Sequence, residues 1–103
     1  MALLHNITSN TTTQLLGAGE NVSPRSISLA NVQGTHAVDV DLFISNGTKN
    51  YYIIKGTTIP VGVTLVLDDD NVSFNNTSTG FSLYIKLLGS SSSTGNVDVI
   101  IKR

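Results

Sequence analysis

The densest set of potential ligand oxygens in this 103-residue chain is the run Asp68-Asp69-Asp70-Asn71. Calcium takes about six to eight oxygen ligands, so these four residues are the candidate metal site. Their spacing fits poorly. A helix-flanked calcium loop starting at Asp68 would need glycine where Ser73 stands and glutamate where Thr79 stands. Contiguous Asp and Asn after an apolar strand also cap the local backbone, and a solvated turn is the preferred reading. His5 and His36 have no partner at ligand spacing and read as edge or exposed side chains. Asp39 and Asp41 share one strand face. An acid–base pair needs a cleft and one raised pKa, so these two read as part of a wet face. No serine sits in a Gly-X-Ser-X-Gly elbow. Gly17-Ala18-Gly19 lacks the third glycine of a dinucleotide loop, Val22 standing in its place. The expectation is no catalytic residue, no cofactor and no enzyme. The three tyrosines and three phenylalanines show no basic-aromatic stripe of the kind that stacks bases. Tyr51 and Tyr52 are adjacent, so one ring points in and one out, and the outward ring is an interface candidate.

Composition narrows the partners. Charged residues are 13% of the chain, about half the usual ~25%, with Ser, Thr and Asn in their place. The net charge is −1 and the six basic residues are scattered, which leaves no footprint for nucleic acid. A nearly neutral surface lacks the self-repulsion that keeps monomers apart, so oligomerisation or assembly into something larger is expected. There is no cysteine, hence no disulfide or thiolate site. Apolar stretches are far too short to span a membrane. The N-terminus reads as lacking a signal peptide, so synthesis in a cytosol is expected, and the Asn-X-Ser/Thr triplets at Asn6, Asn21 and Asn46 are read as accidents of composition.

The elements that must position any site are strands. Apolar residues do not recur at helical spacing, and period two dominates. Val38, Val40, Leu42 and Ile44 alternate with Asp39, Asp41 and Phe43 in a strand read from His36 to Ser45. Asn46-Gly47 follows as a type I′ hairpin signal, and then Tyr51-Tyr52-Ile53-Ile54. Similar alternation runs through Ile27–Leu29, Val63–Leu67, Phe81–Leu87 and Val97–Ile101. Pro60 cannot donate to a sheet ladder, so Thr57 to Val63 is read as a crossing loop, with Ile59, Pro60 and Val61 as interface candidates. Leu3 and Leu4, within the first twenty residues, form either an edge strand or an arm reaching a neighbour. Ser90 to Gly95 reads as a flexible hairpin loop. Seven to eight short strands in one domain, residues 1–103, imply an all-β antiparallel sandwich of jelly-roll or immunoglobulin-like topology, with a barrel as the competitor.

From Arg25 onward the chain resembles small virion proteins of tailed bacteriophages. The resemblance lies in Ser26-Ile27-Ser28-Leu29-Ala30-Asn31, Val38-Asp39-Val40-Asp41-Leu42-Phe43, Tyr51-Tyr52-Ile53-Ile54, Thr58 to Leu67, and Val97-Asp98-Val99-Ile100-Ile101. It implies a β-sandwich subunit of the virion and supplies no catalytic residues. The leading expectation is a capsid decoration or cement subunit, with a trimer favoured, bound to other virion proteins such as the major capsid protein. The alternatives are a tail, neck or fibre-associated subunit, and a carbohydrate- or cell-surface-binding module using Tyr51 or Tyr52 beside the Asp68–Asn71 loop. The lack of Trp and of clustered surface aromatics counts against the last.

Overall fold

The computed structural model describes residues 2–8, 10–68, 74–88 and 95–103. Eight strands carry the chain: β1 (Ala2–Ile7), β2 (Thr12–Leu16), β3 (Ser26–Asn31), β4 (Val38–Ser45), β5 (Asn50–Ile59), β6 (Thr64–Asp68), β7 (Ser82–Leu88) and β8 (Val97–Lys102). No helix occurs among the described residues.

The pairing is that of one long hairpin rolled up. Strand β1 pairs with β8, β2 with β7, β3 with β6 and β4 with β5, all antiparallel. Two further antiparallel contacts, β3 with β8 and β4 with β7, fasten these pairs into two four-stranded sheets. Sheet A has the order β1-β8-β3-β6 and sheet B the order β2-β7-β4-β5. This is the jelly-roll arrangement. Among the described residues each sheet keeps two free edges, so the sandwich is open and the barrel reading does not hold.

The two-residue rhythm builds the core directly, because alternate side chains of a strand face opposite sides. Ile27, Leu29, Val97, Val99 and Ile101 of sheet A are fully buried, as are Val40, Leu42, Leu83, Ile85 and Leu87 of sheet B. Together with Ile7, Leu15, Leu16, Val38, Ile59 and Leu67 they form one continuous core.

Three local readings of the sequence need correction. The strand after His36 begins at Val38, and His36 lies in the preceding loop. The Asn46-Gly47 turn is not type I′, which needs positive φ at two successive residues. Gly47 has φ 94°, but Asn21 is the sole non-glycine with positive φ among the described residues. The Asn46 carboxamide instead accepts the Thr48 and Lys49 amides at 3.0 Å, an Asx turn closing a four-residue loop. Finally, Thr57 to Ile59 are strand, not loop: they pair with Val40, Asp39 and Val38. Gly56, at φ 61°, absorbs a bulge that lets β5 resume its register, and the strand stops only at Pro60.

Two buried asparagines fasten the ends of the sandwich. At one end Asn76, 3% exposed, accepts the Val22 amide at 3.1 Å. Its amide nitrogen donates to the carbonyls of Gly17 and Phe81 at 3.0 and 2.9 Å. At the other end Asn31 donates to the carbonyls of His36 and Ile59 at 3.0 and 2.9 Å and accepts the Gln33 amide at 3.0 Å. Each side chain ties crossing loops together in a chain that has no disulfide to do so.

Candidate docking surface

The structure separates the residues that sequence reading brought forward. Asp68, at the end of β6, is exposed, while Asp69, Asp70 and Asn71 lie outside the described residues, as does most of the loop from Ser90 to Gly95. No cluster of three or more metal-ligating side chains occurs among the described residues. His5 is half-buried in the middle of edge strand β1. Exposed His36 meets the Thr35 hydroxyl at 2.7 Å. Leu3 is half-buried against the core and Ile59 is buried within it, because both occupy inward positions of strands; Ile59 offers no surface. Leu4, Pro60 and Val61 are exposed. Strand β1 is bound along its length to β8, so Leu3 and Leu4 belong to an edge strand and not to an arm.

Asp39 and Asp41 are not equivalent members of a wet face. Asp41 is 4% exposed. Its carboxylate accepts the Gly56 amide at 2.7 Å and lies 3.8 Å from the Lys55 ammonium, because the β5 bulge turns that amide toward it. Asp39 accepts the Thr58 hydroxyl at 2.6 Å. Both carboxylates are engaged with β5, one strand over, and together they fasten it to β4.

The aromatic reading also changes. Register places Gln14, Tyr84, Phe43 and Tyr52 in one row across the outer face of sheet B. Phe43 stacks on Tyr84 with ring centres 5.5 Å apart and touches Tyr52 at 5.1 Å. The Lys55 ammonium lies over the Tyr52 ring at 4.3 Å, a cation–π contact. Tyr51 meets Phe81 edge-on and lies under Lys49. Both Tyr51 and Tyr52 remain nearly half exposed, since β5 is an edge strand. A sequence hint existed: Phe43 interrupts the polar face of β4. Only the register of three strands, however, shows that Tyr84 and Tyr52 flank it.

Sheet A presents the opposite character. The register sets Leu4, Ile100, Ser28 and Val66 side by side across its outer face. Leu4 is 72% exposed, Val66 61% and Ile100 37%. This row carries no charge, and Asp98, Lys102 and Asp68 lie on the rows flanking it. A shallow groove of about 420 Å³ follows the β1–β8 pair, lined by Leu4, His5, Asn6, Asp98, Val99 and Ile100. His5 and Asp98 both border it but stand at register positions of opposite parity, His5 against Val99 and Asp98 against Asn6. They therefore point to opposite faces of the sheet and form no acid–base pair. Asp98 instead accepts the Asn6 side-chain amide at 2.6 Å.

Compared with known proteins, the chain matches no family model and no curated protein.

The sheet edges repeat the asymmetry of the faces. An unprotected edge strand is a template for another strand, and bulges or lysines guard against this. In sheet B, β2 is bulged between Gln14 and Leu16. Strand β5 is irregular at two places and carries Lys55. In sheet A, β1 and β6 keep an unbroken register with their neighbours. One sheet has guarded edges and a polar-aromatic face. The other has regular edges and an apolar row.

Proposed function

We propose that this chain is a non-enzymatic structural subunit of a tailed-bacteriophage particle, a decoration subunit that seats the outer face of sheet A on the exterior of the head. The observation that carries this reading is the uncharged row on that face, with Leu4 and Ile100 side by side and Val66 beyond Ser28. Neighbouring large apolar side chains left in water favour burial against a partner, at ~25 cal/mol for each Å² removed from water. The jelly roll is used by viral capsid proteins among others. Many copies on one particle let a modest contact sum through multivalency. The partners on this reading are other virion proteins, with neither nucleic acid nor membrane involved, and synthesis takes place in the host cytoplasm.

Two measurements test it. Quantitative mass spectrometry of purified particles should give hundreds of copies; about six or twelve, the symmetry of a connector or tail, would move the chain to the neck or tail. The purified chain should also sediment with heads that lack it, and Val66→Lys should abolish that binding without unfolding the domain. Retained binding by this variant would refute docking through sheet A.

A second reading draws on the Tyr84–Phe43–Tyr52 row, since jelly rolls also serve as lectin domains and a partly exposed tyrosine offers an apolar ring with a polar tip. A glycan array run with and without calcium tests it. Binding lost in Tyr52→Ala would favour a carbohydrate-binding module; no binding would remove this alternative.

A further inference from the structure

We propose that two copies of this chain pair through strand β1, joining their A sheets into one eight-stranded sheet across a two-fold axis. This rests on the reading of sheet A as the association side and names the partner of its free edge. Of the four edge strands, β1 alone is both unbulged and uncharged. Strand β2 is bulged, β5 is irregular and holds Lys55, and β6 ends in Asp68. A charged side chain on an edge strand guards it against pairing with another strand, and β6 carries one in Asp68. The sequence Ala-Leu-Leu-His-Asn-Ile of β1 carries no fixed charge and so has no such guard.

The register follows from the pleat. Directly opposed residues in an antiparallel pair lie on the same face. Leu4 and Asn6 share the outer face, while Leu3 and Ile7 point toward the core. For both sheets to keep their faces aligned, an outward residue must oppose an outward residue. Centring the pair on Leu4 sets Leu4 against its own copy and Leu3 against His5. The most exposed large apolar side chain of the described residues then covers itself. Centring on His5 would instead set Leu4 against Asn6 of the copy, a polar side chain. In the Leu4 register the apolar rows of the two copies run end to end, doubling the face available for docking. The geometry favours this pair over the trimer expected of a cement subunit. An edge contact of about five residues buries less than the ~1,200–2,000 Å² of a standard interface, so the pair is weak in free solution and gains from the particle.

The absence of native cysteine makes the test direct. Opposed residues of an antiparallel pair have Cα atoms about 4.5–5.5 Å apart, within the ~4.4–6.8 Å that a disulfide spans. Leu4→Cys, Val66→Cys and His5→Cys are each oxidised with diamide at equal micromolar concentration, and dimer formation is followed on non-reducing gels. Leu4→Cys should form a disulfide dimer at least ten times faster than either other variant, and circular dichroism confirms that each is folded. Equal rates among the three, or fastest crosslinking in Val66→Cys, would overturn the proposal. Sedimentation of the wild-type chain with heads is scored separately. Head binding without Leu4→Cys crosslinking leaves docking standing and removes the pair; crosslinking without head binding removes docking and keeps the pair.

Discussion

Replacing Asn76 with alanine should loosen two loops at once, β2–β3 and β6–β7. The side chain makes one hydrogen bond to the buried Val22 amide and two, part-buried, to the Gly17 and Phe81 carbonyls. The truncation removes all three and fills nothing in return. An unsatisfied buried donor costs about 1–3 kcal/mol, and each neutral bond lost near solvent about 0.5–1.5 kcal/mol. Some relaxation and water entry bring the expected loss to about 2–4 kcal/mol, a large share of the ~5–15 kcal/mol that stabilises a domain. For a chain of this size that corresponds to a fall in Tm of about 8–32 °C, at roughly 4–8 °C per kcal/mol. Urea unfolding followed by circular dichroism measures it, with Asn75→Ala as the control. Exposed Asn75 accepts the Thr77 amide two residues on through its side chain, and its loss should cost under ~1 kcal/mol. Asn76→Asp sharpens the test. It keeps the acceptor for Val22 but aims a carboxylate oxygen at two carbonyls, which raises the carboxyl pKa in the native state above its unfolded value. Such a group favours the native state at low pH and loses that contribution as pH rises through the native pKa. The variant should therefore gain stability relative to Asn76→Ala on acidification from neutral pH toward pH 4. A loss below ~1 kcal/mol in Asn76→Ala, or no pH dependence in that difference, would refute the clamp.

Asn31→Ala removes the corresponding clamp at the opposite end, three bonds of 2.9–3.0 Å. It should cost about 2–4 kcal/mol by the same reasoning and add to Asn76→Ala in the double variant, as distant sites do; a urea series on both singles and the double checks this. Asp41→Ala strands the Gly56 amide and should lower stability by about 1–3 kcal/mol, with faster amide exchange along β5 measured by NMR. Gly80→Ala should destabilise and perturb the β6–β7 loop, because a β-carbon there would collide with the Asn75 carbonyl; a melting curve unchanged from wild type would contradict the packing described.

The strands were legible because burial in a sandwich writes itself into sequence as alternation, and Val97 to Ile101 or Leu83 to Leu87 need no tertiary knowledge. Strand β5 was read short because Gly56 and Thr57-Thr58 carry no apolar rhythm, and its second half is held by Val40, Asp39 and Val38 across the sheet. The clamps were invisible for a related reason. Asn76 reaches partners 54 and 59 residues away, while asparagine in an Asn-rich loop looks like any turn residue. Leu4 as a surface residue, and Leu3 and Ile59 as core, follow from strand parity once β1 and β5 are known to be paired. The aromatic row and the apolar row both depend on lateral register, which one strand's sequence cannot contain.

Hydrogen–deuterium exchange of the chain, free and bound to its particle, tests the central claim that sheet A is the association side. Binding should slow exchange in peptides spanning β1, β8 and β6 and leave β2 and β5 unchanged. Protection gathered on β5 and around Tyr84, with β1 exchanging as in the free chain, would contradict it.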